Sequence, residues 1–214
     1  MFNFLNNNQV STLAKKSNNK VKAVAASLAF AVATSAAMPN ALADDYVIDT
    51  KGAHAFVQFR IKHLGYSWLY GRFNEFGGEF TYDAKDPTKN KVTVDIDVAS
   101  IDSMHAERDK HLRGKKFLDT GTFPSAKFVS TSYKPTGEKT ADLSGNLTLH
   151  GVTKPITIAV EHIGGGSDPW GGYRHGFEGS ITIKPQDFGM DLTKSLGASA
   201  SEVELFLSVE GIRK

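Results

Sequence analysis

The chain has 214 residues, 25 of them basic and 23 acidic, with seven histidines and no cysteine. A disulfide framework, thiolate chemistry and a lipid-bearing cysteine are thereby excluded. So is the strongly basic field that a nucleic-acid partner requires.

Residues 1–43 carry Lys15, Lys16, Lys20 and Lys22 and no acidic residue, then an Ala/Val/Leu/Phe run from Ala23 to Ala37, and finally Ala41-Leu42-Ala43. This order of basic, apolar and small residues predicts a secretory signal peptide cleaved after Ala43, and hence a periplasmic location. The apolar run falls short of the roughly 20 residues that span a bilayer, which argues against a retained anchor. Without the four leader lysines the balance becomes 21 basic to 23 acidic residues. Residues 44–214 have a length suited to one domain with its own core.

That stretch offers one strand pattern after another. Residues 46–49 make a short opener, and residues 54–62 alternate Ala55, Val57, Phe59 and Ile61 with Gln58, Arg60 and Lys62. After a bend at Gly65, Leu69, Gly71 and Phe73 begin a long strand whose phase slips at Glu75-Phe76 before Phe76, Gly78, Phe80 and Tyr82 resume it. Such a slip marks a bulge or a sharp coil. Val92, Val94, Ile96 and Val98 against Thr93, Asp95 and Asp97 give the cleanest alternation, a strand with one wet face.

Residues 103–116 break the period of two. They are rich in helix formers, with Asp102 or Ser103 placed to cap the first turn and Gly114 to stop it. Strands return at 126–133, 141–149, 155–162, 175–184 and 202–211, the last with Val203, Leu205, Leu207 and Val209 on its apolar face. Residues 143–162 read as a hairpin that turns at Gly151. Residues 164–172, rich in glycine, read as a flexible loop. Eight or nine antiparallel strands, each apolar on one face, leave a sandwich or a closed barrel; the strand lengths, the Gly77-Gly78 coil and the single helix favour the barrel.

Several motifs, taken in order, carry a resemblance. They are His54-Ala55-Phe56-Val57-Gln58-Phe59, Lys62-His63-Leu64-Gly65 with Gly71-Arg72-Phe73, Ser100-Ile101-Asp102, residues 106–112, Phe123-Pro124, and residues 145–155. Together they resemble the YceI family of periplasmic, lipocalin-like proteins, over essentially all of residues 44–214. The resemblance implies an all-β, extended antiparallel barrel of about eight strands with one short helix, whose apolar tunnel holds a polyisoprenoid or quinone as ligand, with no cofactor. In this sequence the tunnel would be lined by Val57, Phe59, Ile61, Phe73, Val94, Ile96, Phe128, Leu147, Ile158, Ile181, Leu205 and Leu207. The same side chains would otherwise meet at the axis as a dry core.

Catalytic and metal signatures are wanting. His105 and Glu107 form H-x-E, but zinc-deaminase chemistry also needs cysteine ligands; no H-E-x-x-H or G-x-S-x-G occurs. Glu107, Arg108, Asp109, Lys110 and His111 are expected to form a charged network that docks the helix over one barrel end. Trp68 and Trp170 are placed either to clamp a headgroup or to cover a rim. The reading is a non-enzymatic carrier or sequestering protein for an isoprenoid or other long amphiphile, in the setting of envelope stress. An enzyme acting on such a lipid through His63, His105 or His111, and a filled barrel that binds another envelope component, are the alternatives. Transient membrane contact and a homodimer stay open.

Overall fold

The computed structural model describes residues 43–214; of the leader read over residues 1–43, only Ala43 lies within them. The alternating segments become eleven strands: β1 (Asp44–Ile48), β2 (Phe56–His63), β3 (Ser67–Phe73), β4 (Phe76–Tyr82), β5 (Lys91–Asp97), β6 (Ile101–Asp102), β7 (Ser125–Pro135), β8 (Thr140–Leu149), β9 (Val152–Ser167), β10 (Tyr173–Ile183) and β11 (Val203–Arg213). Helix α1 (Ala106–Leu112) follows β6, and the one-turn α2 (Thr193–Leu196) precedes β11.

Every pairing is antiparallel, in the order β1-β4-β5-β7-β8-β9-β10-β11-β2-β3-β6, and an extra β1–β11 pairing closes eight strands into a barrel. β11 meets β1 at residues 211–213 and β2 at residues 203–208, so β1 and β2 are two halves of one bent stave. β3 and β4 make a second such stave and β5 and β6 a third. This is the extended eight-stranded barrel that the alternation and the resemblance predict. The slip read at Glu75-Phe76 is the break between β3 and β4. Ladder contacts persist across it, with Asn74 donating to the Ser100 carbonyl at 3.2 Å and Asp97 to the Glu75 carbonyl at 2.9 Å.

Local chemistry fixes the turns. β8 and β9 are joined by His150-Gly151 alone, with φ of 50° and 74°. Positive φ at both central residues is the type I′ geometry that matches the twist of a hairpin, and glycine takes it without a Cβ penalty. Pro155 sits in a stretch of β9 that pairs with β8 only, since the β10 ladder begins at Ala159, so its missing N–H breaks no ladder on that side.

Three expectations are corrected. Gly164, Gly165 and Gly166 are not loop but the end of β9, paired to β10 through Ser167. The strand needs glycine there because a Cβ on Gly165 would lie 2.2 Å from the His175 ring. Helix α1 is shorter than residues 103–116, and its N-cap is His105, whose Nδ1 accepts from the Arg108 N–H at 3.2 Å, rather than Asp102 or Ser103. Ser103 is instead buried and bonded to Asp109. The second helix, α2, went unforeseen because a four-residue turn shows no periodicity.

Two apolar clusters fill the barrel. One, beside α1, centres on Phe128, Leu147, Ile158, Ile183, Phe188 and Met190. Phe188, only 2% exposed, comes from a 3-10 turn (Pro185–Phe188) that packs where β9 and β10 have parted. The other, at the far end, centres on Tyr46, Ile48, Ala55 and Phe80.

Candidate functional site

The barrel interior holds two cavities that share no wall residue. The larger, about 280 Å³, lies beneath α1. Strand residues Val57, Phe59, Ile61, Phe73, Ile96, Leu147 and Leu205 line it, and all seven belong to the set read from the sequence. The smaller, about 110 Å³, lies beside Phe80, Tyr82 and Phe177 of the far end and takes Val94, Phe128, Ile158 and Leu207 from that set. Ile181 borders neither cavity and packs into the α1-side core. The single continuous tunnel of the sequence reading is therefore two chambers.

Phe128 stands at the boundary between them. It pairs with Leu147 across the β7–β8 ladder, yet Phe128 faces the small chamber and Leu147 the large one. Its ring lies over Gly145, where a Cβ would come within 2.5 Å of Cζ. A glycine on the neighbouring strand lets an aromatic ring lie against the wall, and Phe59 uses Gly71 in the same way.

Leu69, Ile101, Ala126, Leu149, Ile183 and Val203 extend the strand wall of the larger chamber, and the rest of it comes from residues that strand periodicity does not flag. Leu112 and Phe117 hang from α1 and the turn after it, and Pro185, Met190, Leu192 and Leu196 come from the irregular segment before β11. The one available signal was apolar residues recurring in stretches without a period of two. Four side chains with polar atoms complete the wall: Tyr70, Ser103, Arg108 and His111. β3 pairs with β6 only through Arg72 and Phe73, so its edge over residues 67–71 faces α1 without a ladder partner. Half-exposed Tyr70 and exposed His111 both line the chamber there, which places its mouth between the β3 edge and α1.

Hydrogen bonds hold α1 at that mouth. The buried Asp109 carboxylate accepts from the Ser103 N–H at 2.7 Å and from its hydroxyl at 2.5 Å. Arg108 donates from Nε to the Ser103 hydroxyl at 2.8 Å and from Nη2 to the Ser103 carbonyl at 2.6 Å. Arg113 donates to the carbonyls of Ala99 and Ile101 at 2.7 and 2.9 Å. The expected charged network thus narrows to Arg108, Asp109 and Arg113 acting on neighbouring backbone and Ser103.

The far end is closed by stacked rings. Tyr46 and Phe80 lie 4.8 Å apart and nearly parallel, and Tyr82, His162, His175 and Phe177 pack around them. His162 Nε2 and His175 Nδ1 are 2.8 Å apart, so at least one ring is neutral and accepts. Burial holds both imidazoles below their ordinary pKa and pushes the Tyr46 hydroxyl up to about 12. Outside, Arg174 binds Asp49 at 2.7 Å, Asp168 at 2.7 Å and Glu210 at 2.5 Å. It holds the Asp49 carboxyl down at about 2. Asp49, His54 and Glu210 have the spacing of a metal site, but the Arg174 guanidinium already supplies the cation and the donor set does not fit a resident ion.

The remaining functional suggestions fall away from the chambers. Trp68 lies on the outer face beneath the Arg60 guanidinium at 4.3 Å, and Trp170 is 77% exposed in the β9–β10 turn. His63 and His105 line neither cavity.

A closed antiparallel barrel that keeps an apolar chamber under a helical cover defines the lipocalin-like class of fold. Residues 46–211 match the YceI-like domain, and the chain belongs to that family. It is 59% identical over 175 residues to a UPF0312 protein of Pseudomonas paraeruginosa, covering 82% of this chain and 90% of that one. Among solved structures it is similar to Burkholderia cenocepacia BcnA, with a TM-score of 0.69, 25% identity and coverage of 76% of this chain and 98% of that one. It also shares the fold of a polyisoprenoid binding domain from Saccharophagus degradans, with a TM-score of 0.60, 18% identity and coverage of 79% and 98%.

Proposed function

We propose that the protein is a periplasmic carrier that holds the chain of an isoprenoid or similar long amphiphile in the chamber beneath α1. The observation that carries this is the chamber itself: about 280 Å³ walled by aliphatic and aromatic side chains, with its polar atoms gathered at one mouth. A dry pocket of that make favours a chain that water rejects at about 0.8 kcal/mol per buried CH₂. At about −0.3 kcal/mol per heavy atom, a prenyl tail of roughly 30 atoms reaches about −9 kcal/mol, a sub-micromolar affinity. That affinity requires the bore to open beyond this chamber, since about 280 Å³ takes only about a dozen such atoms. Phe128 is the adjustable element, since a turn of its ring would join the smaller chamber and lengthen the bore.

The fold shared with a domain described as binding polyisoprenoid supports this cargo class. Membership of the YceI-like family favours a binding protein over an enzyme. The basic, apolar and small-residue order of residues 1–43 supports export. Native mass spectrometry of the protein taken from its own cell envelope without detergent, followed by organic extraction, tests the reading. A stoichiometric prenyl lipid or quinone is expected. An empty protein that also refuses added prenyl lipid would make the chamber a packing defect and return the filled-barrel reading to the front.

A further inference from the structure

The α1 end of the barrel exposes apolar side chains at positions where packing gains nothing from them. Leu64 and Tyr66, in the turn between β2 and β3, are 53% and 87% exposed, and Met104, in the link from β6 to α1, is 74% exposed. Leu64 and Met104 also have φ of 52° and 64°. Glycine, asparagine and aspartate enter that left-handed region readily, whereas a large aliphatic residue enters it at a steric cost. Neither side chain lines a chamber. The fold thus keeps both strain and exposed apolar surface at two positions that a small polar residue would suit better, which is the mark of a working surface.

These side chains are fixed in place around the mouth. The Tyr66 N–H donates to the His63 carbonyl at 2.9 Å, and the Met104 N–H to the Asp102 carboxylate at 2.8 Å. A Cβ on Gly197, just past α2, would lie 3.6 Å from Leu64 Cδ2, so the β2–β3 turn sits against the segment whose Leu196 lines the large chamber. Met104 lies two residues past Asp102, whose ladder partner Arg72 lies two residues past Tyr70 at the mouth.

The charge around them has one sign. Among the described residues the lysines that meet a carboxylate are Lys89, Lys127, Lys194 and Lys214. Lys62, Lys110, Lys115 and Lys116, all exposed and all near these turns in the chain, do not. Residues 104–118 hold five basic side chains against Glu107 and Asp109, and Asp109 is buried. Trp170 gives the contrast, since it is as exposed but stands at the far end, where Arg174 is surrounded by Asp49, Asp168 and Glu210.

We propose that the α1 end is a docking surface for an anionic lipid bilayer. Leu64, Tyr66 and Met104 enter the interfacial layer, the four lysines face the lipid phosphates, and the chamber mouth is presented to the membrane. Shallow apolar insertion and attraction to anionic lipid are the two contributions that hold a protein reversibly on a bilayer, and a tyrosine ring suits the headgroup level. That the docked mouth exchanges cargo rests on the chamber being the lipid site; the docking does not.

The test is sedimentation of the protein, purified from its own cell envelope, with vesicles of phosphatidylcholine alone and of equal parts phosphatidylcholine and phosphatidylglycerol, at low and at physiological salt. The mixed vesicles are expected to bind about tenfold more tightly, with the gap narrowing as salt screens the lysines. Leu64→Asn with Met104→Asn should weaken binding to mixed vesicles about tenfold, while the thermal midpoint stays level or rises because asparagine accepts the left-handed backbone. Lys115→Gln with Lys116→Gln should remove most of the preference for mixed vesicles, and it keeps the test decisive if the first pair fails to fold. Trp170→Ser should leave binding unchanged. Equal binding of the two vesicle types, binding unaltered in both paired variants, or an equal loss in Trp170→Ser would overturn the docking surface. Uptake of a fluorescent prenyl alcohol from solution reports on the chamber separately. Uptake without vesicle binding overturns the docking surface alone, whereas vesicle binding without uptake supports docking and sinks the chamber reading.

Discussion

The two ends of the barrel are built from the same eight staves and solve opposite problems. At the far end, rings of Tyr46, Phe80, Tyr82, His162, His175 and Phe177 interlock and leave only the smaller chamber of about 110 Å³, which Phe80, Tyr82 and Phe177 border. At the α1 end the walls are mostly aliphatic, and the cover is a helix and an irregular segment rather than side chains from the wall. Strands alone can close a bore only with large rings. Where a helix closes it, the wall residues are released from filling the axis and a chamber survives.

The sharpest way to break this contrast is at the boundary between the chambers. Phe128→Ala removes a buried ring and should cost about 3–5 kcal/mol in denaturant unfolding. It should also join the two cavities, so a series of prenyl chains of increasing length is expected to shift its optimum to longer members. An unshifted optimum would mean that the chambers never act as one bore.

Next comes the clasp outside the far end. Arg174→Met strands the buried Asp49 carboxylate without its partner, and breaking such a pair should cost about 3 kcal/mol. Hydrogen exchange should then rise in β1 and β10 more than in α1. If α1 is equally deprotected, the two ends are not independent.

Acid provides a graded comparison. His162 and His175 have folded-state pKa values lowered by burial, with Tyr46, Tyr82 and Tyr173 facing them and Asp44 and Lys139 as the nearby charges. The unfolded imidazoles therefore bind protons first. Their stabilising contribution is complete above about pH 6.5 and falls as pH drops below that value. Asp49 behaves as a depressed carboxylate: its contribution holds above about pH 3.9 and is lost as pH falls through about 2. Stability measured against pH should show a first decline that His175→Phe reduces and that His162→Phe with His175→Phe abolishes, and a second that Asp49→Asn abolishes. A first decline that survives the double substitution would place the titrating group elsewhere.

The smallest effect lies at the α1 cover. His105→Ala deletes the N-cap and should cost about 0.5–1 kcal/mol. Exchange at α1 amides should quicken while the far end stays protected. A global loss of protection would show that the cover is integral to the barrel rather than a separate, weaker unit.

The sequence by itself determined the staves and the face that each turns inward. A period of two leaves one apolar face per strand, and antiparallel strands with such faces either pack as two sheets or close on themselves. Eleven of the twelve positions read as tunnel wall do border one chamber or the other, because alternation dictates inward direction without any knowledge of partners. Alternation does not determine depth along the axis. Whether Ile181 meets space or a neighbour, and whether Phe128 stands between the chambers, depends on the register between strands and on the glycine that each ring finds on the neighbouring strand. The cover was still less legible. Met190, Leu192 and Leu196 lie in a segment with no period, and Arg108 is fixed at the chamber wall only when Ser103, bonded to Asp109, accepts from it. Those are contacts between side chains brought together by closure, so only the tertiary structure decided them.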